Sequence, residues 1–75
     1  MSTLHRIGRV QIRMFYDHNP PHFHIWTPDS EVQVSLRDLT LLRGGPMHKG
    51  DYELAMEWAR ANIDFLWQEW NRRNG

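Results

Sequence analysis

Seventy-five residues without a cysteine, carrying nine basic and nine acidic side chains, describe one small domain of zero formal charge. A chain this short buries only about 60% of the surface its unfolded form exposes, and it has no disulfide or thiolate metal cluster to compensate. It lacks an apolar run near the roughly 20 residues that span a bilayer, an apolar signal-peptide core, and the bulk charge of a dedicated nucleic-acid binder. The expectation is a single cytoplasmic domain over 1–75, with no membrane contact and no DNA partner for this chain alone.

Charge is uneven along the sequence. Arg6, Arg9 and Arg13 fall in residues 1–16 with no acid, whereas residues 51–75 hold five of the nine acids. A β half is expected over about residues 7–43 and a helical half over about 51–73. From Val10 to Tyr16, Val10, Ile12 and Met14 alternate with Gln11 and Arg13, the period-2 pattern of a half-buried strand. The run Asp17-His18-Asn19-Pro20-Pro21-His22-Phe23-His24 comes next. Its prolines fix φ near about −65° and remove two backbone donors, so it predicts a stiff bend outside any helix or central strand. Phe23 and Ile25 then alternate with His22, His24 and Trp26. Thr27-Pro28-Asp29-Ser30 predicts a turn, and Glu31 to Arg37 a further strand with Val32, Val34 and Leu36 on one face. Leu39 to Arg43 is a candidate fourth strand, ended by Gly44-Gly45-Pro46.

The helix is placed by Asp51 and Glu53 at its start and by Arg72 and Arg73 at its end. At about 100° per residue the wheel carries two apolar stripes. Leu54, Trp58, Ala61 and Phe65 form one; Ala55, Ala59, Ile63, Leu66 and Trp70 form the other, extended by Met56 and Trp67. A single small sheet needs a stripe only about 100° wide. Twenty-three helical residues would also span about 35 Å, against a radius of gyration of about 11 Å for so short a chain. Either the helix breaks near Asn62 or it projects toward another chain. The first stripe is expected to be the core. The second, through Trp67, Trp70, Ile63 and Met56, is expected to meet a partner, since large aromatics anchor interfaces. The fold class expected is α+β: an antiparallel meander of three to four strands covered by one long or kinked C-terminal helix.

On strand parity His22 and His24 project from one face, about 7 Å apart, with His18 and Asp17 across the bend. Three chemistries fit that arrangement. It is a divalent metal site built on His-x-His, or a metal-free acid–base pair with Arg13 clamping an anion, or a structural turn capped by Asp17. His22, His24, His18, Asp17 and Arg13 are therefore the candidate catalytic residues. A metal site is not expected, because no fourth ligand is evident, and no cofactor is expected, because Gly44-Gly45-Pro46 lacks the Lys and Ser/Thr of a phosphate loop.

The run from Ile12 to His24 resembles the hallmark of the bacterial domain-of-unknown-function family numbered 4160, whose members share a segment close to DHNPPHFH. A Gly-x-Pro-like turn, here Gly44-Gly45-Pro46, and a closing helix with a Glu-Trp pair, here Glu57-Trp58, and a later Trp, here Trp70, extend the likeness over nearly the whole chain. Genes of that family commonly lie beside a second very small gene, often of the family numbered 2442. Some such pairs are described as type II toxin–antitoxin modules with this family as toxin. The resemblance thus implies a toxin-like component neutralised by a small cognate antitoxin, acting on RNA or the translation machinery. If it is an enzyme, it implies a metal-independent ribonuclease-like activity. The alternative is a non-catalytic protein-binding adaptor or regulatory module, homodimeric or partnered.

Overall fold

Five strands run in chain order across one antiparallel sheet: β1 (Thr3–Ile7), β2 (Val10–Arg13), β3 (His22–Trp26), β4 (Glu31–Ser35) and β5 (Leu41–Gly44). Two helices complete the chain, α1 (Lys49–Ala61) and α2 (Ile63–Asn74). This is a computed structural model, and it describes residues 3–15 and 20–74. The α+β class stands. The expected three to four strands and single helix become five strands and two helices.

β1 was hidden from the sequence by a bulge. The register shifts between Thr3 and His5, and a bulge breaks the period-2 pattern by setting two residues against one. The position opposite Ile12 is filled by His5, a polar residue, which stacks on Trp58 of α1 with ring centroids 4.5 Å apart and 9° between planes. A two-residue turn, Gly8-Arg9, joins β1 to β2. Positive φ is confined to Gly8, at 58°, the pattern of a II′ hairpin, whose first central residue is usually glycine. β4 stops at Ser35, short of the expected Arg37, because the chain turns through Leu36–Asp38. Leu39 then takes φ 59°, an uncommon conformation for a branched side chain, and its N–H donates to the Ser35 carbonyl at 2.9 Å.

The register sorts the side chains onto two faces. Ile12, Ile25 and Val32 form one cross-strand row, and Phe23 and Val34 lie in the next. With Val10, Met14 and Leu36 they are buried beneath the helices. The opposite face carries Gln11, Arg13, His22, His24, Trp26, Glu31 and Gln33.

The helical segment does break at Asn62, which has φ −126° and ψ 29°. Its backbone N–H donates to Ala59 O at 3.2 Å and its Nδ2 to Trp58 O at 2.9 Å, closing α1. Its own carbonyl accepts from Leu66 N–H at 3.0 Å, opening α2. A short amide side chain that competes for backbone partners is the usual agent of such an interruption. The radius of gyration is 11.2 Å and the longest extent 32 Å. No helix among the described residues is long and apolar enough to cross a membrane.

The two stripes trade places relative to expectation. Ala55, Met56, Ala59, Leu66 and Trp70 are buried, whereas Leu54 is 43% and Phe65 38% exposed and Ala61 is also exposed. The reason is steric. Alanines at positions 55 and 59 let α1 lie close over the sheet, and the bulky Trp58 is displaced sideways onto His5. Met56 and Trp70, expected to face a partner, are therefore committed to this chain's own core, while Ile63 and Trp67 are half-buried against it. Outside the core, Arg9 donates to Asp29 at 2.9 Å and to Asp51 at 2.7 Å, tying two turns to the first turn of α1.

Two outcomes test this packing. Leu66→Ala is expected to cost about 2–5 kcal/mol of unfolding free energy and Phe65→Ala, which loses an edge-on contact with Trp58, about 1 kcal/mol, measured by urea denaturation. The Arg9 hydrogen bond holds the Asp51 carboxyl below the usual range, and Arg72 does the same for Glu69. A depressed carboxylate pKa contributes stability that is present above its unfolded value and lost as pH falls through the folded one. Thermal stability should thus decline below about pH 4, and Arg9→Ala should make that decline shallower.

Candidate functional site

Two rows of side chains cross the sheet face opposite the core. One is Arg6, Gln11, Trp26 and Glu31; the other is Arg13, His24, Gln33 and Arg43. Period-2 parity brings Arg13, His22 and His24 together, as the sequence implied. It also brings in Gln11, Trp26, Glu31 and Gln33, which sequence reasoning passed over although the same alternation places them there.

The histidines are not presented to solvent. His22 is 6% and His24 7% exposed. Their ring centroids lie 5.2 Å apart; His22 packs 5.5 Å from Trp70 of α2, and Phe15 meets His24 edge-on at 4.6 Å. Each ring is also oriented by an acceptor. His22 Nδ1 lies 2.7 Å from the Pro20 carbonyl and His24 Nδ1 3.0 Å from the Glu31 carboxylate. A carbonyl and a carboxylate only accept, so both Nδ1 atoms carry protons, and in the neutral rings the lone pair sits on Nε2. That tautomer suits a base or a metal ligand, but burial keeps a bulky substrate from the rings.

Arg13 is positioned differently. Its guanidinium carbon lies 4.2 Å from the Trp26 ring centroid, and its Nε and Nη2 donate to Gln11 Oε1 at 3.0 and 2.9 Å. Thr3 Oγ1 donates to the same oxygen at 3.0 Å. The guanidinium is thus held over the indole by a fixed acceptor, an arrangement arginine makes and lysine does not. Asp17 and His18, the other candidate catalytic residues, lie outside the described residues. Among the described residues no three His, Asp or Glu side chains converge as they would around a metal ion. His48, which sequence left unassigned, caps α1: its Nδ1 accepts from Gly50 N–H at 3.2 Å.

Residues 10–71 match the model of a family described as Domain of unknown function (DUF4160). The chain belongs to that family. The DUF4160 span begins at the first residue of β2 and ends just past Trp70, so it contains both histidines, the Arg13–Trp26 stack and the break at Asn62, and leaves β1 outside. No curated protein and no solved structure matches the chain.

Because both rings are buried, their removal is a packing change as well as a chemical one. His22→Ala, which loses the Pro20 hydrogen bond and the contact with Trp70, is expected to lower stability by about 1–3 kcal/mol. Arg43→Ala, on the exposed end of the same face, should change it by no more than about 0.5 kcal/mol. Equilibrium unfolding followed by tryptophan fluorescence compares the two.

Proposed function

We propose that this chain is the toxin-like component of a bacterial two-protein module, held inactive by a small cognate antitoxin that seats on the outer face of α1 and α2. The observation that carries the reading is the exposed apolar stripe on that face. Leu54 and Phe65 stand out from the fold, and the Phe65 ring meets half-buried Trp58 edge-on with centroids 6.3 Å apart. Trp58 in turn lies one helical turn beyond Leu54. A contiguous apolar patch on so small a surface is the usual mark of a protein contact. Membership of DUF4160 supports the same reading through the gene pairs in which such proteins occur.

Burial of His22 and His24 favours action by binding over a ribonuclease-like acid–base mechanism. General acid–base catalysis needs the group within hydrogen-bond reach of the proton it moves, and these rings are enclosed by Phe15 and Trp70. Their Nδ1 atoms are also already engaged. Their role in this reading is to fix the bend and hold the end of α2 against β3.

Expression with and without the neighbouring small gene tests the proposal. Growth arrest by the chain alone, relieved by co-expression of a protein that co-purifies with it, is the expected result. Phe65→Glu and Leu54→Glu should each abolish co-purification while leaving the circular dichroism spectrum unchanged, since neither position is in the core. Co-purification without growth arrest would leave only an adaptor role, and loss of neither activity in both variants would remove the helix face from the mechanism.

A further inference from the structure

The sheet face opposite α1 has chemistry that the helix face lacks. Three arginines stand across it: Arg6 of edge strand β1, Arg13 of β2 and Arg43 of the opposite edge strand β5. None of them is ion-paired with a carboxylate among the described residues, whose ion pairs use Arg9, Arg72, Arg73 and His24 instead. Glu31 is the acid in the two rows, and it is already engaged with His24. Zero net charge thus conceals a local excess. The strands carry three arginines against the single acid Glu31, whereas the helices carry five acids against four basic residues.

Alongside this charge sits a flat aromatic element. Trp26 is half-exposed, with the Arg13 guanidinium over its ring and Gln11 fixing that guanidinium. Gln33 lies in the Arg13–Arg43 row and adds an amide with both donor and acceptor. From β2 to β5 the row crosses three inter-strand spacings, about 14 Å, so cations flank the aromatic element at distances an extended polymer can bridge.

We propose that this face binds single-stranded nucleic acid, with phosphates on Arg6 and Arg43 and an unpaired base stacked on the Arg13–Trp26 pair. A folded protein partner would need apolar area to bury, which the two rows limit to Trp26, the exposed Leu41 and Leu42 lying at the β5 edge of the sheet. A duplex keeps its base faces stacked and out of reach. Unpaired bases are sequence-tolerant stacking partners for aromatic rings and guanidinium planes, while backbone phosphates satisfy the arginines. The inference concerns a different surface from the partner contact on α1 and α2 and does not depend on it.

Fluorescence anisotropy of the full chain with labelled single-stranded RNA of about 12 nucleotides, and with DNA of the same sequence, tests the proposal. Binding should weaken with salt with a log–log slope of about −1.4, since each of the two single-strand phosphate contacts contributes about −0.7. Arg43→Ala and Arg6→Ala, at exposed positions that leave the fold intact, should each reduce that slope by about 0.7. Arg13→Lys keeps the charge and loses the planar stack, so it should weaken binding at least about fivefold with the slope unchanged. Binding of either strand with those losses supports the assignment. No anisotropy change with either, binding unaffected by Arg6→Ala and Arg43→Ala, or equal affinity for the duplex would overturn it. Leu54→Glu with Phe65→Glu should leave anisotropy unchanged, so failure of the partner contact and failure of this site are told apart.

Discussion

The break at Asn62 decides how the C-terminal half of the chain packs on the sheet. A continuous helix over the same residues would outrun the 32 Å of the whole molecule and would carry its second half beyond the sheet. By closing α1 with its side-chain amide and opening α2 with its carbonyl, Asn62 divides one rod into two helices. Leu66 joins the core and Trp70 lies against His22, so the last apolar residues of the described chain reach the first residue of β3. The same hinge fixes which residues are left outside. Once Ala55 and Ala59 set α1 close to the sheet, Leu54 and Phe65 have nowhere to go but the surface.

Polar anchors of two kinds hold this arrangement in place. Arg9, in the β1–β2 turn, reaches Asp29 in the next turn and Asp51 at the start of α1, where an acid also complements the helix dipole. These contacts are exposed and individually weak, but together they join three segments far apart in sequence. His22 and His24 work from inside. Each is fixed through Nδ1 and packed against an aromatic ring, so the proline bend is tied to β4 through Glu31 and to α2 through Trp70. Both histidines thus join elements of the fold as well as sharing one face of the sheet.

Much of the fold was legible, and the failures have physical causes. Alternation at Val10, Ile12 and Met14, and again at Val32 and Val34, identified strands and their buried faces correctly, because those strands are regular. β1 escaped because its bulge and His5, a core-side histidine shielded by Trp58, erase the alternation. The helix wheel identified two apolar stripes and a candidate break, but it ranked the stripes by bulk. Packing over a sheet rewards small residues at the closest approach, and that preference cannot be seen without knowing which element the helix meets. Parity placed His22 and His24 on one face correctly, yet said nothing of cover. Phe15 and Trp70 arrive from segments whose positions depend on the bend and on Asn62.

A domain of this size has little interior to spare, and its two outer surfaces divide its remaining chemistry. The helical side holds the exposed Leu54 and Phe65 and five of the nine acids, with four basic residues among them. The sheet side holds arginines with no carboxylate partner among the described residues, amides, and a tryptophan already paired with a guanidinium. An apolar patch and a basic aromatic sheet call for occupants of different chemistry. Two aromatic contacts join the helices to the sheet: Trp70 on His22, where the end of α2 meets the strand that also carries His24 and Trp26, and Trp58 on His5, next to Arg6 in β1.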